Sequence, residues 1–216
     1  MAAGTCLDHL SQAVTDGIVS AVIPFIEANI KAQDWHHREA AVMTFGSILD
    51  GPDPAVLTPL VNQALPLLID MMADSNIHVK DTTAWTLGRI CELLVSTIQP
   101  DAHLHPLITA LVNGLSDNPR IVSNCCWALM NLADQLGGYY EDDPDANPTG
   151  SLSPYYEGVV QALLRITDTW VIVCLLLLSL SFIIPQNKQR KQLQNNCVRG
   201  NNVIRYARHP RCHPCC

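Results

Sequence analysis

The sequence predicts an all-α fold in which antiparallel helix pairs stack into a right-handed superhelix. Three observations carry that reading. Apolar residues recur at helical spacing through most of residues 1–168. The chain also matches itself when slid by 42 residues. Met43, Phe45 and Ile48 superpose on Trp85, Leu87 and Ile90, and these in turn on Trp127, Leu129 and Leu132. Upstream, Ile23-Pro24-Phe25-Ile26 falls on Leu65-Pro66-Leu67-Leu68, then on Leu107-Ile108-Thr109-Ala110, which stays apolar but lacks the proline. Finally, residues with turn and capping chemistry punctuate the apolar runs at the joints this period requires.

A period of about 42 with two helices per unit lies in the HEAT and armadillo range. In the second unit, residues 58–73 form the first helix, with Leu60, Leu65, Leu67, Leu68 and Met71 on one face. Residues 78–95 form the second, carrying Val79, Thr83, Trp85, Leu87, Ile90, Leu93 and Leu94. Asp74-Ser75-Asn76 supplies the turn and N-cap between them, and Asp117-Asn118-Pro119 does so in the third unit, its proline suiting a helix start. Gly51-Pro52-Asp53-Pro54 and Gln99-Pro100-Asp101 break the chain between units. Residues 2–15 read as the second helix of an earlier unit and 153–167 as the first helix of a later one. The expectation is three complete units and two half-units. A single pair cannot bury its apolar face, so the units must stack. The second helices then line the concave side of the curve, a surface suited to long peptides or whole proteins.

Charge and cysteine usage divide the chain near Asp168. Residues 1–168 hold all 20 acidic residues and 6 of the 13 basic ones, a formal charge of −14, whereas residues 169–216 carry +7. An acidic body excludes phosphate-backbone recognition, which needs clustered Lys and Arg, so no nucleic acid is expected as partner. The same field attracts a basic protein or peptide. Cys6, Cys91, Cys125 and Cys126 each sit in an apolar helical stretch and read as small buried hydrophobes. The opening Met-Ala-Ala-Gly-Thr-Cys lacks the charged and apolar regions of a signal peptide, so the body is expected in the cytosol or nucleus with its thiols reduced.

Trp85 and Trp127 share one position in successive second helices. Large aromatics at helical spacing fit a core; they also fit anchors for a partner helix on the concave face. Asp81 and Asn124, one turn before them, are polar, which favours a partly exposed inner face. These four are the candidate partner-binding residues. Trp35-His36-His37-Arg38-Glu39 holds metal-ligand types, but adjacent histidines do not share a helix face, so a solvated helix start is expected and no metal or cofactor. No Gly-rich phosphate loop, nucleophile elbow or metalloprotease motif is present, and nothing reads as an enzyme. Residues 137–153, with Gly137-Gly138 and Glu141-Asp142-Asp143, read as a longer acidic insertion.

Particular residues go beyond the period. Asp34-Trp35-His36, Arg38-Glu39-Ala40-Ala41-Val42-Met43-Thr44-Phe45-Gly46, Asp81-Thr82-Thr83-Ala84-Trp85-Thr86-Leu87-Gly88-Arg89-Ile90-Cys91, Asn118-Pro119-Arg120 and Ser123-Asn124-Cys125-Cys126-Trp127-Ala128 resemble the middle of the importin-β (karyopherin-β) family. The resemblance covers roughly residues 2–167. It implies a HEAT-repeat nuclear import receptor of cytoplasm, nucleus and nuclear pore, carrying cargo through the basic importin-β-binding segment of the adaptor importin-α, or basic cargo directly. By motif position it gives Trp85 and Trp127 the role of packing against that basic helix, with Asp81 and Asn124 nearby. Ran-GTPase and nucleoporins are partners of the full-length family. Its N-terminal repeats, which dominate Ran and much of nucleoporin binding, and its C-terminal half have no counterpart here.

Residues 169–216 fit none of this. The run from Trp170 to Pro185 is almost wholly apolar and is followed by Lys188, Arg190 and Lys191, which alone resembles a short tail anchor. His209, Cys212, His213, Cys215 and Cys216 alone resemble a zinc site. Back-translating residues 191–216 with permitted codons and reading one nucleotide later, however, can give NNSRTTAYEAITSYVTHATPDVIPV. That peptide has a helical apolar pattern, a Pro-Asp break and a likeness to the importin-β sequence expected after Asp168. The tail is therefore read as retained intron (about 169–190) followed by the next exon in the wrong frame. A generic HEAT scaffold and a tail-anchored protein are the alternatives.

Overall fold

In the computed structural model, residues 2–136 and 150–166 are described. They form α1 (Ala2–Val14), α2 (Gly17–Asn29), α3 (Trp35–Ser47), α4 (Pro54–Met71), α5 (Ile77–Leu93), α6 (His105–Gly114), α7 (Pro119–Leu136) and α8 (Tyr156–Arg165). Short 3₁₀ turns span Val95–Thr97 and Gly150–Leu152, and a π-helical turn over Pro100–Leu104 leads into α6. Helices α2, α4 and α6 pair with α3, α5 and α7, and the second helices stack in the order α1, α3, α5, α7. This is an all-α HEAT-type solenoid.

Capping chemistry places the second helices. The side chains of Asp34, Asn76 and Asn118 accept from the backbone N–H groups of His36, His78 and Arg120 at 3.0, 2.8 and 3.1 Å. These caps are themselves 42 residues apart, so the period is set by the starts of the helices as well as by their apolar faces. Helix α4 begins at Pro54, four residues before the expected start. Asp53 caps it by accepting from Ala55 N at 2.8 Å, and Pro54 gives up no useful donor at a first helical position. The break itself narrows to Gly51 and Pro52, where Gly51 has φ +120° and a Cβ would meet the Ser11 carbonyl oxygen at 2.5 Å. Pro24, Pro59 and Pro66 lie inside α2 and α4 and are all exposed. Two of the carbonyls they deprive of a helical donor belong to Ser20 and Ala55, exposed residues that water can serve.

The repeated triplet divides into two roles. Ile48, Ile90 and Leu132 are 0, 0 and 1% exposed, and Phe45, Leu87 and Leu129 are buried beside them. Each such side chain contributes about 1.5–3 kcal/mol by leaving water. The first member of the triplet, Met43, Trp85 or Trp127, is only half-buried. Of the cysteines, Cys91 and Cys125 are buried and Cys126 half-buried, but Cys6 is exposed on α1, contrary to the apolar-stretch reading. Burial pushes the Cys125 thiol up to about 12 and Cys126 up to about 11, and drives Cys91 further up, so all three stay protonated at neutral pH.

Ion pairs stitch successive units at the N-terminal ends of the second helices. Arg38 donates from Nε and Nη2 to both carboxylate oxygens of Asp74 at 2.8 and 2.9 Å, and from Nη1 to the Ala32 and Gln33 carbonyls. Lys80, 42 residues after Arg38, pairs with Asp117. Burial alone would raise the Asp74 carboxyl, but the Arg38 bonds and the Asn76 N–H outweigh it and hold the group below the usual range. For Asp117 the Lys80 bond is the chief cause and the direction is the same.

Asp74→Asn is expected to cost about 2 kcal/mol at neutral pH, because it removes a charge-assisted fork from a side chain that is 10% exposed. Both acids titrate lower in the fold than in the unfolded chain. Their contribution is complete above the ordinary carboxylate value of 3.8 and is lost as the pH falls through the lowered folded values. Urea unfolding of wild type and variant should therefore converge in acid. A difference that persists unchanged to about pH 2 would assign the cost to packing instead of charge.

Candidate partner-binding face of the second helices

Trp85 on α5 and Trp127 on α7 each lie against a glycine of the preceding second helix. A Cβ on Gly46 would meet Trp85 Cζ3 at 2.5 Å and Thr86 Oγ1 at 2.7 Å. One on Gly88 would meet Trp127 Cε3 at 2.3 Å. Gly4 on α1 receives Met43 in the same way, with Sδ 3.0 Å from the Cβ position. The glycines recur every 42 residues, and each receives the side chain 39 residues on. The close approach lets side chains bond across the seam. Thr86 Oγ1 donates to the Val42 carbonyl and Asn131 Nδ2 to the Gly88 carbonyl, both at 3.3 Å. Each tryptophan thus has one side committed to the stack and the rest half-exposed.

Asp81 and Asn124 are brought together, but facing each other. Asn124 Nδ2 donates to Asp81 Oδ1 at 2.9 Å and to its carbonyl at 3.2 Å, across α5 and α7. Arg120 Nη2 approaches Asp81 Oδ2 at 2.7 Å from a side chain that is 71% exposed. Asp81 itself is 9% exposed. One repeat earlier, Thr82 Oγ1 donates to Glu39 Oε1 at 3.0 Å in the equivalent place. Asp81 therefore holds the seam as well as lying one turn from Trp85.

A second set of acids escaped the sequence reading. Asp50, Glu92 and Asp134 follow Met43, Trp85 and Trp127 by seven residues; for Glu92 and Asp134 that is two helical turns along the same face, whereas Asp50 lies just past the end of α3. Asp8 extends the 42-residue column into α1. The 42-residue period that aligns the aromatic positions aligns this acidic column as well. Asp50 accepts from Gln12 Nε2 at 2.9 Å and Asp8 from Arg89 Nη2 at 2.9 Å, whereas Glu92 and Asp134 are exposed. Both exposed acids lie in the last turns of α5 and α7, where the helix dipole is already negative. That placement does not favour the helices. It does concentrate negative potential beside the tryptophans, which suits a cation. Arg89 adds to this face, its Cζ 5.7 Å from the centroid of the Trp85 ring.

His36 and His37 are exposed at the start of α3, where His36 stacks on Trp35 with centroids 3.7 Å apart. Among the described residues no three His, Cys, Asp or Glu side chains cluster as metal ligands, and no helix is long and apolar enough to cross a membrane. The apolar run 170–185, the Cys/His set 209–216 and the acidic stretch 137–149 lie outside the described residues.

Fold and face define a HEAT-repeat solenoid whose stacked second helices carry half-buried tryptophans and exposed acids. Comparison with known proteins narrows this. A family model described as Importin subunit beta-1-like, TPR repeats, matches residues 106–171, and a HEAT-like repeat model matches residues 35–90. Importin subunit beta-1 of Schizosaccharomyces pombe is 54% identical over 168 residues, 78% of this chain and 19% of the relative. A crystal structure of importin beta superposes with TM-score 0.72 at 44% identity, covering 78% of this chain and 19% of that one. Yeast importin-beta (Kap95p) gives 0.75 at 34% identity, covering 87% and 22%, and is also solved bound to RanGDP and in complex with Nup1. The chain belongs to the importin-β family, and spans about a fifth of the length of these relatives.

Gly46→Ala and Gly88→Ala are each expected to lower unfolding free energy by about 1–3 kcal/mol, because the new methyl must displace an indole. Gly158→Ala, where nothing lies within 4 Å, should be neutral or gain up to about 1 kcal/mol. Equal effects in denaturant unfolding at all three positions would remove the seating role of the glycines.

Proposed function

We propose that this chain is a segment of a nuclear import receptor that holds a basic helix on the concave face lined by α3, α5 and α7. The helix is the importin-β-binding segment of importin-α, or a basic stretch of cargo. One observation carries the reading: half-exposed Trp85 and Trp127 on neighbouring helices, each followed two turns later by an exposed acid, Glu92 or Asp134. Aromatic faces take the aliphatic stems and cations of Lys and Arg, and the acids take the charges. Asp81 and Asn124 enter as the support of Trp85. Their mutual bond fixes α5 against α7, and the exposed Arg120 can swing away to give Asp81 to a partner cation. Ran and nucleoporin contacts, and shuttling between cytoplasm and nucleus, are proposed only for the longer receptor.

The test is titration of the chain with a basic importin-β-binding peptide, beside a Trp85→Ala/Trp127→Ala variant. Wild type should bind in a salt-dependent manner, and the double variant should lose at least about 30-fold in affinity, the scale of a hot-spot aromatic. A folded chain indifferent to basic helices would favour the generic scaffold, and sedimentation with membranes would favour the tail anchor.

We also propose that residues 169–216 lie outside the receptor fold, as intron read-through and a shifted frame. The Importin subunit beta-1-like match ends at residue 171, close to the proposed boundary. Transcript sequencing should find a product that skips the codons for about 169–190 and restores the frame. Transcripts carrying only the frame as given would overturn it.

A further inference from the structure

Arg89 breaks the repeat at the point where a partner would dock. The residues 42 before and after it are Ser47 and Asn131, both buried and uncharged, and Asn131 spends its amide on the Gly88 carbonyl. The stack therefore does not require an arginine here. Arg89 leaves its own seam and reaches across two units, its Nη2 meeting Asp8 Oδ1 on α1 at 2.9 Å. On the way its guanidinium lies 5.7 Å from the centroid of Trp85. Its Nε is buried with no hydrogen-bond partner, so the position is held at a cost. A guanidinium beside an indole, paired to a carboxylate of the acidic column, is the arrangement a basic helix would make on this face.

We propose that Arg89 is an internal stand-in for a partner's cation, occupying the Trp85–Asp8 position until a basic helix displaces it. This rests on the reading of the face as a basic-helix site. Docking at Trp85 then exchanges one cation for another: Arg89 turns to solvent, its stranded Nε–H gains water, and the incoming Lys or Arg takes the indole and Asp8. The exchange costs every ligand that docks at Trp85 the same displacement free energy, so Arg89 lowers affinity at this position for single cations and basic helices alike. Arg89 thus sets a threshold that a segment also reaching Trp127 clears by its additional contacts.

The experiment titrates the full chain with a synthetic Arg- and Lys-rich amphipathic peptide. Arg89→Gln is compared with Lys31→Gln, which makes the same change of net charge at an exposed site after α2. Arg89→Gln should bind about threefold to tenfold tighter than Lys31→Gln, and that excess should vanish when Trp85→Ala is added. Arg89→Lys keeps the charge but loses the planar fork. It should also tighten binding, and it serves in place of Arg89→Gln if that variant does not fold. Binding by Arg89→Gln equal to or weaker than Lys31→Gln, or by Arg89→Lys no tighter than wild type, overturns the proposal and leaves the receptor reading standing. Absence of binding in every folded chain, wild type included, overturns both.

Discussion

The distance between adjacent second helices is the constraint on which the rest of this structure depends. It is set where an indole lies against a backbone with no side chain, Trp85 on Gly46 and Trp127 on Gly88. A Cβ at either glycine would have to displace the indole or the helix that carries it. The Thr86–Val42 and Asn131–Gly88 bonds, already at 3.3 Å, would be the first lost. The Asn124–Asp81 and Thr82–Glu39 contacts depend on the same spacing. Glycine costs helix stability in isolation. Here that loss is offset by burying one side of a large side chain, Met43 on Gly4 and an indole on Gly46 and Gly88, which is why a helix breaker recurs at a fixed place in three successive second helices.

The repeat also divides its charges between two tasks. At the N-terminal ends of the second helices, Arg38–Asp74 and Lys80–Asp117 are satisfied internally and join one unit to the next. Toward the C-terminal ends, Glu92 and Asp134 stand exposed. The first arrangement follows from stacking alone. The second opposes the helix dipole and gains nothing from stacking, so its recurrence at one period belongs to the surface.

Much of this was legible in the sequence. The period, the buried Phe45/Leu87/Leu129 and Ile48/Ile90/Leu132 columns and the caps at Asn76 and Asn118 all follow from self-comparison and turn chemistry, because they repeat with the chain. The half-exposure of Trp85 and Trp127 also agrees with their polar neighbours. Asp81 was harder. Its carboxylate is engaged by residues 39 and 43 positions away, and such pairings appear only once two helices are laid side by side. Glu92 and Asp134 were visible in principle, since the same slide aligns them. Cys6 misled because an apolar stretch gives the composition of a helix and not the direction of each side chain.

Arg89 was the least legible residue, and the reason is general to repeat folds. Self-comparison rewards positions that agree, so a residue that departs from its equivalents drops out as noise. In a solenoid each unit already satisfies its own backbone and core through its neighbours. A side chain that spans two units, as Arg89 does to reach Asp8, is not dictated by contact with the neighbouring unit alone. In an array built by repetition, the exceptions to the repeat are where the demands of a partner are separated from those of the fold.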